Sequence, residues 1–155
     1  MTESQTAAAS ISGYVDYCGE GEDPAHNILL PAVRRLLGPP AATDGRLFDL
    51  GCGSGTMAAQ LSPDGWKISG VDPSTANRDY PQLDLQMGSA YEDLAARFGQ
   101  FNRVISLEVV EHVYAPRDWA KTLFGLTAPG GRAIVSTPYH GYLKNLAIAL
   151  SGKFD

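Results

Sequence analysis

Three glycines at alternate positions follow a short apolar run that contains one acid, in the segment Asp49-Leu50-Gly51-Cys52-Gly53-Ser54-Gly55. Glycine reaches positive φ without penalty and leaves no Cβ beside the main chain, so this spacing predicts a tight turn that a ligand can approach closely. Thr56 stands where the dinucleotide fingerprint G-x-G-x-x-G places its third glycine. The alternative interpretation is a turn whose glycines serve only the fold.

Two acids flank this turn and narrow the choice of ligand. Asp49 precedes Gly51 by two positions, at the end of a predicted strand, where a negative charge repels a pyrophosphate and attracts a cation. Asp72 ends the next predicted strand, where an acid can accept hydrogen bonds from both hydroxyls of a ribose. The pattern therefore predicts a ligand that carries a ribose and a positive group.

A second polar group, Glu108, Glu111 and His112, follows the fourth predicted strand. Open α/β sheets bind ligands beyond the carboxyl ends of their strands, so these residues are candidates for chemistry. A histidine can remove a proton near neutral pH. His112 can thus act as a base, hold a metal or orient the loop, and a helix start at Glu111 favours an acid for dipole reasons alone.

Strand and helix patterns alternate from Arg46 onward, which is typical of a parallel sheet covered by helices on both faces. Apolar runs predict strands at 47–50, 67–71, 83–87, 101–107 and 132–137. Asp23 and Pro24 predict the start of an earlier helix that stops at Gly38. Further helices are predicted at 91–98 and near 119–126, and a turn at 129–131 leads into the fifth strand.

The chain as a whole has the size and composition of one domain, with 155 residues that are 44% hydrophobic and 19% charged. A formal net charge of −5 without basic runs argues against a nucleic-acid partner, whose binding depends on clustered Lys and Arg. Cys18 and Cys52 do not have a metal-ligand spacing and fit a reducing cytoplasm. We expect neither a secretory signal nor a membrane span.

Four segments between residues 26 and 139 resemble, in order, the motifs of class I S-adenosylmethionine-dependent methyltransferases. The resemblance is greatest to the small-molecule group that includes the ubiquinone-biosynthesis O-methyltransferases. The segments are Asp49 to Gly55, Val71-Asp72-Pro73-Ser74, Ser106-Leu107-Glu108-Val109-Val110-Glu111-His112-Val113 and Ala128-Pro129-Gly130-Gly131. We therefore predict a doubly wound, Rossmann-like α/β sheet with strand order 3-2-1-4-5 and a cofactor between the first and fourth strands.

The resemblance implies S-adenosylmethionine as cofactor, S-adenosylhomocysteine as its product, and methyl transfer to oxygen or nitrogen of a small molecule. The glycine turn would hold the methionine part and Asp72 the ribose. Backbone groups near Ser89 and Ala90 would meet the adenine, where a plain loop is an equally good interpretation. The cofactor residues are therefore Asp49, Gly51, Cys52, Gly53, Gly55, Asp72, Pro73, Ser89, Ala90, Leu107 and Glu108.

The resemblance also suggests residues for the acceptor side of the site. Glu111 and His112 are the catalytic candidates. In the ubiquinone branch the Glu-x-x-Glu-His pattern is associated with a divalent cation, but we assign no metal ligand here. The substrate candidates lie in the N-terminal extension and after the fifth strand: Tyr14, Tyr17, His26 and Tyr139. Tyr14 and Tyr17 can equally cover a helix face.

The resemblance sets the expected limits of the domain. Residues 1–22 are expected to form a flexible tail that can act as a lid, and residues 23–155 to form the cofactor-binding domain. The family normally continues into an antiparallel pair of strands, so we expect a C-terminally incomplete domain whose exposed sheet edge favours a homodimer. Two alternatives stay open: a cofactor-binding remnant without turnover, and a nicotinamide-dependent oxidoreductase, which Asp49 and the missing third glycine disfavour.

Overall fold

The structure, a computed structural model, describes residues 24–42, 45–74, 80–139, 146 and 149–151. The predicted tail at 1–22, with Tyr14 and Tyr17, and the predicted helix cap Asp23 lie outside these residues. Short 3₁₀ helices occur at Ser62–Asp64 and Val110–His112. The helices and strands are, in chain order, α1 Pro24–Leu37, β1 Arg46–Leu50, α2 Thr56–Leu61, β2 Lys67–Asp72, β3 Asp84–Met87, α3 Leu94–Phe98, β4 Phe101–Leu107, α4 Pro116–Leu126 and β5 Thr127–Ser136.

The five strands form one parallel sheet in the order β3-β2-β1-β4-β5, which confirms the predicted order and the doubly wound architecture. From β1 the chain continues to β2 on one side, and it later returns to place β4 on the other side. At such a reversal of strand order, the connections diverge and leave a crevice at the carboxyl ends of the strands. The segments after β1 and β4 therefore lie at the position where this class of sheet binds its ligands.

The sheet has an apolar core on each face, because successive strand residues point to opposite sides. Leu47 on β1 packs with residues of α1 and α2, whereas its neighbours Phe48 and Leu50 pack with residues of α3 and α4. All three side chains are fully buried. The central strand is thus covered by helices on both faces, as the alternation of strands and helices predicted.

Several predicted boundaries differ from the structure, and the starts of β5 and α3 are two of the larger differences. β5 begins at Thr127 rather than 132, and the turn predicted at 129–131 is an irregularity inside the strand, between the register pairs Phe101–Thr127 and Arg103–Arg132. Gly130 there has a φ of 76°. The helix predicted from 91 begins at Leu94, because the side chain of Asp93 accepts a hydrogen bond from the amide of Ala96 at 3.1 Å and caps it.

Helix α1 begins at Pro24 and ends at Leu37, as predicted, and Gly38 follows it with a φ of 66°. Arg103 on β4 donates from Nε to the carbonyl oxygen of Leu37 at 3.2 Å, which satisfies one acceptor at the helix end. This bond holds the end of α1 against the sheet. In the part of the chain that the structure describes, no helix combines the length and apolarity needed to cross a membrane.

Candidate functional site

The turn between β1 and α2 contains three glycines in the left-handed region, with φ of 84° at Gly51, 51° at Gly53 and 85° at Gly55. An L-residue in this region costs roughly 1–2 kcal/mol, so the backbone of the turn favours glycine at all three positions. The amides of Gly51 and Cys52 both donate to the carbonyl oxygen of Val71 on β2, at 2.8 and 3.1 Å. These bonds hold the turn against the end of the neighbouring strand.

Two of these glycines are also required by packing within the protein. A Cβ on Gly51 would lie 2.4 Å from Cγ2 of Val109, and a Cβ on Gly55 would lie 2.5 Å from Cδ1 of Leu85. Carbon atoms in favourable contact are about 3.5–4.0 Å apart, so neither position has room for a side chain. The close approach that the sequence pattern attributed to a ligand is, at these two glycines, already made by side chains of the chain itself.

Asp72 ends β2 with a buried carboxylate that organises the adjacent backbone. Its Oδ2 accepts a hydrogen bond from the amide of Gly53 at 2.9 Å. Its Oδ1 accepts from the amide and the hydroxyl of Ser74, at 2.9 and 2.7 Å. Asp72 therefore connects the glycine turn to the chain that leaves β2 through the half-buried Pro73, and any ribose hydroxyl would share oxygens that already accept bonds from the protein.

Asp49 lies on the same face of the sheet as Asp72. It pairs across the strands with Gly70, and alternate residues share a face, so Gly70 and Asp72 point to the same side. The side chain of Asp49 is only 3% exposed. Burial, and secondarily the negative charge of Asp72, raises the pKa of Asp49 from 3.8 to about 7. Near neutral pH, a cation at this site would favour the ionised form of Asp49.

Ser89 and Ala90 follow β3 and are half-buried. The amide of Ser89 donates to Oε1 of Glu92 at 2.7 Å, and its hydroxyl accepts from the amide of Tyr91 at 3.2 Å. The polar groups of Ser89 are thus engaged within their own loop. This arrangement favours the interpretation of Ser89 as a loop-forming residue and leaves a role beside an adenine as a proposal.

Glu108 follows the buried Leu107 in a conformation that non-glycine residues seldom adopt, with a φ of 55°. Its amide lies 3.1 Å from the hydroxyl oxygen of Ser136, and that hydroxyl donates to Oε1 of Glu108 at 2.7 Å. Strain of this kind persists where the surroundings hold it, and Ser136 at the end of β5 does so here. Ser136 was not among the site residues predicted from the sequence, although it lies at a carboxyl strand end, the feature that marked Asp49, Asp72 and Glu108.

Glu111 and His112 are exposed and belong to the 3₁₀ helix Val110–His112. The amide of His112 donates to the carbonyl oxygen of Val109 at 2.9 Å. The side chain of Val109 is the one that fills the space above Gly51. The two catalytic candidates therefore lie on a short segment that begins in direct contact with the glycine turn.

The two substrate candidates within the described residues lie in different environments. His26 is half-buried on α1, and its Nδ1 has no hydrogen-bond partner among the residues that the structure describes. Its neighbour Asn27 accepts a hydrogen bond from Nε2 of Gln60 on α2 at 3.0 Å. Tyr139 follows β5 and is 87% exposed. The structure therefore places His26 near the α1–α2 contact and Tyr139 on the surface.

A doubly wound parallel sheet with a glycine turn and two buried acids at its carboxyl edge defines a class of α/β domains that bind nucleotide-like ligands. The sequence matches a family model described as a methyltransferase domain over residues 25–150. The chain belongs to this methyltransferase family, which confirms the family that the motifs predicted.

A curated relative illustrates the extent of the similarity. The chain is 37% identical over 116 residues to the ubiquinone biosynthesis O-methyltransferase of Caulobacter sp. (strain K31), which covers 69% of this chain and 46% of that relative. The chain spans about half the length of the curated relatives it matches. The similarity therefore concerns one part of those longer proteins.

Solved structures share the fold. An S-adenosylmethionine-dependent methyltransferase from Mesorhizobium loti superposes with a TM-score of 0.58 at 22% identity, covering 72% of this chain and 54% of that one. CalS10, an amino pentose methyltransferase from Micromonospora echinaspora with bound S-adenosylmethionine, gives a TM-score of 0.56 at 18% identity and covers 74% and 50%. These matches confirm the Rossmann-like architecture.

Proposed function

We propose that this chain binds S-adenosylmethionine at the carboxyl edge of its sheet and belongs to an enzyme that transfers the methyl group to oxygen or nitrogen of a small molecule. One observation carries the proposal: a left-handed glycine turn bracketed by the buried carboxyls of Asp49 and Asp72. Two neighbouring buried acids suit a ligand that brings a positive charge and hydroxyl donors. The names of the curated relatives favour oxygen as the acceptor atom.

The proposed cofactor contacts follow the order of the strands along the edge. The glycine turn, from Asp49 through Cys52 to Gly55, would hold the methionine part. Asp72 and Pro73 after β2 would meet the ribose, and Ser89 and Ala90 after β3 the adenine. Leu107 and Glu108 would close the site from β4. The fit rests on the donor set, because acids and backbone amides are the groups that a ribose and an amino-acid moiety require.

The chain's own residues would supply binding, alignment and proton removal. When bound, S-adenosylmethionine supplies a methyl group on a positively charged sulfur. His112 would accept the acceptor's proton, and Glu111, its neighbour in the sequence, is the second catalytic candidate. Their exposure makes both side chains accessible to a substrate. His26 and Tyr139, with Tyr14 and Tyr17, are the proposed substrate contacts.

Calorimetric titration with S-adenosylhomocysteine and, separately, with NAD tests the cofactor. We expect saturable binding of S-adenosylhomocysteine and none of NAD. Binding of NAD alone would favour the oxidoreductase alternative and overturn the proposal. Cofactor binding without transfer to a panel of small phenols, catechols and amines would favour the remnant without turnover.

The remaining proposals concern the molecule's limits and partners. We propose residues 23–155 as the methyltransferase domain and residues 1–22 as a tail that closes over the substrate. The acidic net charge of −5 supports a small-molecule rather than a nucleic-acid partner. A cytoplasmic location and a homodimer formed through the edge strand β5 complete the proposal.

A further inference from the structure

The hydroxyl of Tyr91 joins two loops at the carboxyl edge of the sheet. Its oxygen accepts a hydrogen bond from the amide of Tyr114 at 2.9 Å and another from the amide of Ala115 at 3.3 Å. Tyr91 belongs to the loop after β3, whereas the two amides belong to the segment between β4 and α4. One oxygen atom therefore links regions that are more than 20 residues apart in the chain.

The Tyr91 side of this link is a loop with several short-range hydrogen bonds. The amide of Tyr91 donates to the hydroxyl of Ser89, and the amide of Ser89 donates to the carboxylate of Glu92. The amide of Glu92 in turn donates to the carbonyl oxygen of Ser89 at 3.2 Å. Arg97 lies 3.6 Å from the other oxygen of the Glu92 carboxylate. The ring of Tyr91 is therefore attached to the same short loop that carries Ser89 and Ala90.

The other side of the link is the end of the segment that carries the catalytic candidates. Ala115 precedes Pro116, the first residue of α4, and provides no side-chain cap to that helix. The amides that donate to the Tyr91 hydroxyl belong to Tyr114 and Ala115. These residues come directly before the helix, two and three positions after His112. The opposite end of the segment is held by the Ser136–Glu108 contacts. The segment 108–115 is thus fixed at both ends, with Glu111 and His112 between.

We propose that Tyr91 is a positioning residue. When a cofactor binds the loop at 88–91, the hydrogen bonds of the Tyr91 hydroxyl fix the positions of Glu111 and His112. A ligand that orders this loop would also order the Tyr91 hydroxyl, which accepts hydrogen bonds from the Tyr114 and Ala115 amides. The segment between β4 and α4 would then be most rigid when the cofactor is present. This inference rests on the proposed cofactor site.

Amide hydrogen exchange measured by NMR, with and without saturating S-adenosylhomocysteine, tests the inference in the variant Tyr91→Phe. The variant keeps the ring and removes only the acceptor. Without ligand, the Tyr114 and Ala115 amides should exchange about fivefold faster than in the wild type, as expected for a lost hydrogen bond. With ligand, the wild type should gain protection over 111–115 as well as at the proposed cofactor contacts, and the variant should gain it at those contacts but not over 111–115.

Thr122→Val is the matched control, because the Thr122 hydroxyl donates to the carbonyl oxygen of Glu92 at 3.4 Å and joins α4 to the same loop through a bond that does not involve the amides of residues 114 and 115. It should leave ligand-induced protection unchanged. Equal ligand-induced protection over 111–115 in Tyr91→Phe and wild type would overturn the coupling. Absence of any ligand effect in the wild type would overturn the cofactor proposal itself and the coupling with it.

Discussion

Two buried carboxyls stand out at the residue scale, near the carboxyl edge of the sheet. Asp49 and Asp72 are both buried on one face of neighbouring strands. Such an arrangement is unfavourable when both are ionised, because desolvation and mutual repulsion act together. The protein tolerates it by holding Asp72 with backbone amides and a hydroxyl and by raising the pKa of Asp49. A cationic ligand would relieve the same repulsion.

The raised pKa of Asp49 predicts that cofactor affinity depends on pH. Below its pKa of about 7 the carboxyl is neutral, and above it the carboxylate attracts a sulfonium. Affinity for S-adenosylmethionine should therefore increase about tenfold from pH 6 to pH 8, with a smaller change for S-adenosylhomocysteine, whose sulfur is uncharged. Calorimetry across this range measures both. Asp49→Asn, which cannot ionise, should abolish the difference, and a dependence that survives in this variant would assign the proton to another group.

Asp72 offers a second test at this scale. Asp72→Ala should weaken S-adenosylhomocysteine binding by at least about tenfold, because a charge-assisted hydrogen bond contributes roughly 1.5–3 kcal/mol. Asp72 also accepts a hydrogen bond from the Gly53 amide, so its loss disturbs the glycine turn as well. Ser74→Ala serves as the control, because it removes one hydrogen bond to the same carboxylate but keeps the charge. Ser74→Ala should bind nearly as the wild type does. Wild-type affinity in Asp72→Ala would exclude this residue from the ribose site.

The glycine turn and the segment after β4 form one packed unit at the scale of elements. Gly51→Ala should lower the free energy of unfolding by roughly 2 kcal/mol or more, because its φ of 84° disfavours alanine and its Cβ would collide with Val109. Urea unfolding measures the effect. Adding Val109→Ala removes the collision but not the strain in φ, so the double variant should be more stable than the sum of the single effects predicts. Simple additivity would contradict direct packing.

Two successive buried hydrogen bonds support the same packed unit. Trp119 on α4 donates from Nε1 to the hydroxyl of Ser106 at 3.3 Å, and that hydroxyl donates to the carbonyl oxygen of Leu50 at 2.7 Å. These hydrogen bonds connect α4 through Ser106 on β4 to Leu50, the last residue of β1. They fix the end of β1, where the glycine turn begins, relative to the strand that carries Glu108.

At the scale of the whole molecule, β5 is one of the two edge strands of the described sheet. Val135 is 43% exposed, and Ala133 on the same face is exposed as well. Unpaired edge strands favour association with a second copy, and charged residues on the edge oppose it. Sedimentation velocity should show a dimer whose fraction increases with concentration. Val135→Lys should shift the equilibrium from dimer to monomer.

Phe124→Lys is the control for this prediction, because Phe124 is 83% exposed on α4 and receives the same charge away from the strand. It should leave the association unchanged. A wild type that stays monomeric at every concentration, or a dimer lost only in Phe124→Lys, would reject the β5 interface.

Most of the architecture could be predicted because it depends on local patterns. The limits of β4 were predicted correctly and those of β1 and β2 to within one residue, since apolar runs and glycine turns mark them. The start of β5 was missed because Pro129 and Gly130 are typical of turns, yet pairing with β4 keeps the chain in the sheet. The start of α3 was missed because Asp93, rather than an earlier residue, caps it.

The strands and the residues at the carboxyl edge could be predicted from apolar runs and glycine positions alone, and the family resemblance carried by the order of the motifs implied the strand order. Tertiary structure decided how those residues behave. The raised pKa of Asp49, the left-handed Glu108 held by Ser136, and the link from Tyr91 to Tyr114 all depend on contacts between distant parts of the chain. Local patterns do not specify such contacts, since burial and hydrogen-bond partners exist only once the sheet has brought the strand ends together.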